Sequence, residues 1–141
     1  MASAPGKLVI GPIFTSSRMR VMVAEDNIVN QKVACRMVER LGLRADVAAN
    51  GVEAVEMSQL APYDLILMDC QMPEMDGYQA TREIRRRDGV NRRTVIIAMT
   101  AEAMTGAREK CIEAGMDAYI AKPVRLADLA EALRSWLPAR K

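Results

Sequence analysis

Residues 63–78 read YDLILMDCQMPEMDGY, and the fold turns on what happens where their apolar run stops. Leu65, Ile66, Leu67 and Met68 follow one another without a polar interruption, the pattern of a strand covered on both faces rather than on one. Asp69 closes the run. Pro73 and the Asp76-Gly77 pair then make the next segment a loop, because proline fixes its own φ and glycine admits positive values. An acid at the carboxyl end of a buried strand is a rim residue, and it directs attention to whatever else lies on that rim.

Outward from this stretch the same alternation repeats. RVMVAE (20–25) predicts a strand, followed by a helix from Ile28 with Ala34, Met37, Val38 and Leu41 on one face and Gly42 at its end. LRADVAA (43–49) predicts a second strand, after which Asn50-Gly51 turns the chain into a helix carrying Val52, Val55 and Leu60 that stops before Pro62. Beyond the third strand come a helix over 78–87, a strand TVIIAMT (94–100), a helix ending at Gly115 and a strand DAYIAK (117–122). A last helix over 126–137 sets Leu126, Leu129, Ala130, Leu133 and Leu137 on one stripe. Five strand-helix units predict an α/β domain whose parallel sheet is covered by helices on both faces. The methionines read as fillers of irregular core space.

Composition narrows what such a domain does. A chain of 141 residues, 50% hydrophobic and 27% charged, is one globular domain in size. Its net charge of +2 argues for neither nucleic acid nor an anionic membrane, and the run Arg85, Arg86, Arg87, Arg92, Arg93 reads as a solvated helix end and loop. Cys35, Cys70 and Cys111 are odd in number and widely spaced, so they indicate neither a disulfide framework nor a zinc site, and a reducing, cytoplasmic setting is expected. There is no histidine, which excludes a His base, a His metal ligand or a phosphohistidine within the chain. Any histidine chemistry must come from a partner. No apolar stretch is long enough to span a bilayer. Residues 1–17 are expected to be a flexible tail or linker, 18–138 the folded domain and 139–141 a short C-terminal tail.

In an open parallel sheet the ligand crevice lies outside the carboxyl ends of the strands. Glu25 and Asp26 end the first strand, Asp69 the third, Thr100 the fourth and Lys122 the fifth. Three carboxylates on one edge repel one another unless a cation compensates, and hard oxygen ligands suit Mg²⁺ rather than zinc. Lys122 adds a positive charge and Thr100 a hydroxyl donor, a set matched to the oxygens of a phosphoryl group. Asp69 is then the natural nucleophile, since carboxylates form acyl phosphates during transfer. The bland alternative is a set of unrelated helix caps and surface ions.

The segments VMVAEDNIVNQKV, LILMDCQMPEMDGY, IIAMTAEA and YIAKP, in that order, resemble the four signature segments of the response-regulator receiver domain, in the subtype carried by hybrid sensor histidine kinases. The resemblance runs from Arg20 to Leu137. It implies a flavodoxin-like (βα)5 fold with strand order 2-1-3-4-5 and a phosphoacceptor role for Asp69. It further implies Mg²⁺, with Mn²⁺ as a substitute, held by Asp26, Asp69 and the Gln71 backbone carbonyl, with Glu25 acting through water. Thr100 and Ala101 match the switch hydroxyl and its small neighbour, Tyr119 the aromatic that repacks on activation, and Lys122 the lysine that contacts the phosphoryl group. Lys122-Pro123 is expected to be cis, and Gln71 and Glu102 to tune phosphoryl lifetime. The donor would be a histidine kinase or a histidine phosphotransfer protein, and the chain would assist phosphorylation of itself rather than act as a stand-alone enzyme.

No output domain follows Leu137 and no kinase ATP motif precedes Arg20, Gly6-Lys7 lacking the rest of a P-loop. The chain is expected to be either a single-domain regulator or a receiver cut from a larger protein, and the hybrid-kinase subtype favours the second. Two other functions compete. An aspartate-nucleophile phosphohydrolase of the haloacid dehalogenase type places a second aspartate two residues after the nucleophile, where this sequence has Gln71. A phosphorylation-independent interaction module would not need Asp26, Asp69, Thr100 and Lys122 together.

Overall fold

The computed structural model describes residues 18–101 and 106–138; the expected tails, 1–17 and 139–141, and Glu102 lie outside them. Strands and helices alternate as β1 (Arg20–Ala24), α1 (Ile28–Arg40), β2 (Arg44–Ala48), α2 (Gly51–Leu60), β3 (Leu65–Asp69), α3 (Gly77–Arg86), β4 (Val95–Thr100), α4 (Ala107–Ala114), β5 (Ala118–Ala121) and α5 (Leu126–Trp136). All five strands are parallel in the order β2-β1-β3-β4-β5, as the resemblance implied. The chain reverses its direction of travel across the sheet between β1 and β3, so the crevice of this fold opens where those two strands end.

Alternation along the strands divides the core in two. Val21, Val23, Leu65, Leu67, Ile97 and Met99 face one way, onto Ala34 and Val38 of α1 and Leu129 and Leu133 of α5. Met22, Ile66, Met68, Ile96 and Ala98 face the other way, onto Ala54 and Val55 of α2, Ala80 and Ile84 of α3 and Cys111 of α4. The unbroken run at 65–68 is thus explained: both faces of β3 are covered, and each of its large side chains contributes about 1.5–3 kcal/mol by leaving water. Met22, Met68, Met72, Met99 and Met116 are buried, in keeping with a packing role.

Helix starts follow local chemistry. Asn27, Asn50 and Asp76 precede α1, α2 and α3, and each side chain accepts the N–H three residues on, relieving an orphan donor of the first turn. Asp76 and Gln79 complete a reciprocal capping box. Gly42, at φ 99°, takes the left-handed conformation that lets the chain turn from α1 into β2.

Of the apolar residues that α2 carries, Val55 reaches the core while Val52 and Leu60 are exposed; α2 buries Gly51, Ala54, Val55 and Ser58, because it packs closely on α3 and the small residues admit that approach. One expectation needs correction. Arg85 is not solvated. It is half-buried, and its guanidinium donates to the carbonyls of Gly115 (2.9 Å), Arg92 (2.9 Å) and Thr94 (2.7 Å) and to Asp117 (3.0 Å). A fork of fixed N–H donors suits this gathering of carbonyls from three segments. Arg86 and Arg87 do extend outward, each paired with Glu83. Among the described residues no helix is long and apolar enough to cross a membrane.

Candidate functional site

Each strand that ends at the crevice delivers part of the site. Glu25 and Asp26 leave β1, Asp69 is the last residue of β3, Thr100 the last of β4, and Lys122 follows β5. Glu25 and Asp69 are each 2% exposed and Thr100 is buried, whereas Asp26 is exposed. One carboxylate oxygen from each of Glu25, Asp26 and Asp69 lies within 4.8 Å of the others. Lys122 Nζ stands 3.3 Å from Asp69 Oδ1 and 3.6 Å from Glu25 Oε1. Glu25, Asp26, Asp69 and Lys122 therefore lie together at the crevice.

The backbone holds them there. Lys122-Pro123 is cis, as expected, and the Lys122 N–H donates to Thr100 O at 2.9 Å, tying the β5 exit to the end of β4. Asp69 Oδ1 accepts the Gln71 N–H at 3.1 Å, so the loop after β3 folds back on the carboxylate. Gly77 makes that return possible: a Cβ there would collide with the carbonyl oxygen of Asp69. This is the physical reason for glycine in MDGY, beyond its tolerance of unusual φ.

The electrostatics are those of a site short of positive charge. Burial holds the Glu25 carboxyl above its ordinary range, against the Asn27 hydrogen bond that favours its charged form, and the negative charge of Asp69 adds to the rise. The Lys122 ammonium pairs with two of the three acids, Glu25 and Asp69. Closely spaced hard oxygens, two of them on buried residues, fit a small divalent cation, and an oxygen-only donor set matches magnesium-like ions better than softer metals. Beside the acids, the Cys70 thiol is pushed up to about 11, chiefly by burial, which leaves it a protonated wall residue rather than a nucleophile.

The remaining expected residues lie on the flank. Ala101 is exposed in the turn after β4. Tyr119 is 38% exposed on β5; it pairs with Ala98, two residues before Thr100, so the hydroxyl and the ring stand on the same face of neighbouring strands. Sequence reasoning missed two residues that shape the rim. Asn27 donates its N–H to Glu25 Oε2 at 3.1 Å, and Gln31 donates Nε2 to the Glu25 carbonyl at 2.7 Å. Asn27 carries a legible signal as an N-cap before an apolar helix; Gln31 carries none, being one polar residue on a partly exposed helical face.

Comparison with known proteins agrees with this geometry. A family model described as the response regulator receiver domain matches residues 21–134. The hybrid signal transduction protein dokA of Dictyostelium discoideum is 44% identical over 117 residues, a match covering 83% of this chain and 7% of that protein. The chain thus spans a small part of the length of such curated relatives. Among solved structures, the receiver domain of a sensor histidine kinase from Pseudomonas aeruginosa PAO1 is 47% identical with a TM-score of 0.77, over 84% of this chain and 96% of that one, and has a magnesium ion coordinated in its active site cleft. The receiver domain of the Saccharomyces cerevisiae response regulator Ssk1, solved with the histidine phosphotransfer protein Ypd1, is 27% identical with a TM-score of 0.76, over 85% of this chain and 89% of that one.

Proposed function

This chain belongs to the response regulator receiver domain family and is a phosphoacceptor domain of two-component signalling; we propose that Asp69 is the acceptor, loaded from a partner's phosphohistidine. The observation that carries the assignment is the placement of Asp69, a 2%-exposed carboxylate with Lys122 at 3.3 Å and two further acids within 4.8 Å. A carboxylate oxygen of Asp69 forms a bond to phosphorus as the phosphorus–nitrogen bond breaks. The electron pair of that bond stays on the imidazole, and a histidine protonated on its other ring nitrogen leaves neutral.

Positioning and charge stabilisation do most of the work in such transfers. Lys122 donates to one phosphoryl oxygen and Thr100 to another. Asp26, Asp69 and the Gln71 carbonyl would hold Mg²⁺, or Mn²⁺ in its place, with Glu25 acting through water. When bound, the cation supplies the positive charge that lets a carboxylate and a phosphoryl group approach each other. A phosphohydrolase is disfavoured because Gln71 stands where that chemistry needs a second acid.

Beside the crevice, α1 leaves Ile28 and Val29 64% and 67% exposed, with Val33 also exposed. These wetted apolar side chains flank the acids and suit an apolar surface on a phosphotransfer partner that must bring its histidine to Asp69. Val29→Gln is expected to slow transfer from such a protein at least tenfold while leaving Mg²⁺ affinity unchanged, and an unaltered rate would remove this surface from the encounter. The receiver unit is residues 18–138, working in the cytoplasm as part of a hybrid kinase.

The deciding experiment is phosphoryl transfer from a phosphorylated histidine phosphotransfer protein, read by radiolabel and mass spectrometry. The parent should take up label only with Mg²⁺ and only on Asp69, and Asp69→Asn should take up none. Stoichiometric label on that variant would reassign the acceptor.

A further inference from the structure

Asp26 is the exposed member of the acid triad, yet its position is set on both sides. The carbonyl before it, that of Glu25, accepts Gln31 Nε2 at 2.7 Å. The N–H after it, that of Asn27, donates to Glu25 Oε2 at 3.1 Å. Glu25 itself is anchored at its N–H, which donates to Ala48 O at 3.0 Å, and at Oε1, which faces Lys122. A peptide unit is planar, so fixing the direction of the Glu25 carbonyl fixes the plane from which the Asp26 Cα departs. Gln31 makes that bond from the body of α1, a rigid element anchored by its own N–H to Asn27 O at 2.9 Å.

We infer that Gln31 is a positioning residue for the cation site: its side-chain amide aims the Glu25–Asp26 peptide so that the Asp26 carboxylate meets Asp69. This rests on the assignment of Asp26 as a metal ligand. Its side-chain hydrogen bond goes to the main chain, so Gln31 acts through the backbone. Without its amide the carbonyl turns toward water, and the peptide gains freedom that ion binding must then remove. Outer-shell partners of this kind commonly change metal affinity about 10- to 100-fold.

The test uses Mg²⁺ alone as the probe, on the full chain, with binding followed by calorimetry or amide shifts. Gln31→Met keeps the length of the side chain and removes the donor. It is expected to weaken Mg²⁺ binding about tenfold with the melting temperature in EDTA held within about a degree of the parent. Gln31→Glu adds a negative charge that by itself attracts a cation, so weaker binding there as well singles out lost positioning. In an Asp26→Asn background, Gln31→Met should cost no further affinity, because the group it positions is already gone. An undiminished affinity in Gln31→Met beside a loss in Asp26→Asn overturns the role of Gln31 and leaves the metal site standing. No loss in Asp26→Asn overturns the metal site itself. Equal loss of affinity and of stability in EDTA would make the contact purely structural and refute the assignment.

Discussion

Replacing Asp69 with asparagine removes one charge and little volume, and the sign of its effect on stability can be worked from the site. At an effective dielectric constant of about 20, Lys122 at 3.3 Å attracts the carboxylate by about 5 kcal/mol. Glu25, whose nearest ligand oxygen is within 4.8 Å, repels it by about 3.5 kcal/mol or more. Asp26 is exposed and screened, and adds about 1 kcal/mol of repulsion. Net attraction is therefore at most about 0.5 kcal/mol, and the cost of keeping a buried carboxylate away from water, several kcal/mol for an ion, decides the balance. The asparagine oxygen can still accept the Gln71 N–H, so that hydrogen bond is retained. Without metal, Asp69→Asn should be more stable than the parent by about 1–2 kcal/mol, a rise of about 3–8 °C in Tm for a domain of this size. Tenfold excess Mg²⁺ over its dissociation constant should then raise the parent by about 1.4 kcal/mol and the variant by much less. Thermal melts of both proteins in EDTA and in Mg²⁺ form the complete test. A variant that melts below the parent in EDTA refutes the electrostatic accounting, and equal Mg²⁺ shifts refute Asp69 as a ligand.

Elsewhere the structure makes three further commitments. Asn91, buried in the turn before β4, accepts from Tyr63 N and donates to Ser58 O and Ala61 O; Asn91→Ala orphans these groups and should cost about 3–4 kcal/mol in urea melts, with a loss under about 1 kcal/mol refuting the staple. Burial alone would raise Asp46, but hydrogen bonds from Tyr63 and Arg20 hold it below its ordinary range. Because its folded value is depressed, its contribution is fully present above the unfolded value, near 3.8, and is lost as pH falls through the folded one, so Asp46→Asn should flatten the decline in Tm below about pH 4. An unchanged acid limb would show that the cluster is energetically idle. Phosphorylation or a beryllofluoride mimic should draw Thr100 inward and let Tyr119 leave its exposed position, moving amide resonances along β4, α4 and β5; shifts confined to the crevice would exclude that switch.

Much of this protein was legible before any coordinates. Apolar runs ending in Asp69, Thr100 and Lys122 reveal both the strands and the edge on which they finish, because a parallel sheet aligns all its carboxyl ends, and Asn27, Asn50 and Asp76 mark helix starts by chemistry local to three or four residues. What escaped depends on partners distant in the chain. Arg85 reads as one of a solvated run until Gly115 and Asp117, 30 and 32 residues on, come to meet it. Asn91 looks like any loop asparagine until Ser58, 33 residues earlier, turns out to need its donor. Gln31 carries no signal because its partner is a main-chain carbonyl, which every residue possesses. The exposure of Val52 and Leu60 was not legible for the converse reason: an apolar side chain states a preference for burial, and only the approach of α2 to α3 decides which face receives it. Residue type and spacing by themselves determined the chemistry at the strand ends; tertiary structure decided which of many equivalent polar groups were needed to hold that chemistry still, since backbone donors and acceptors become distinguishable only once folding brings them out of water.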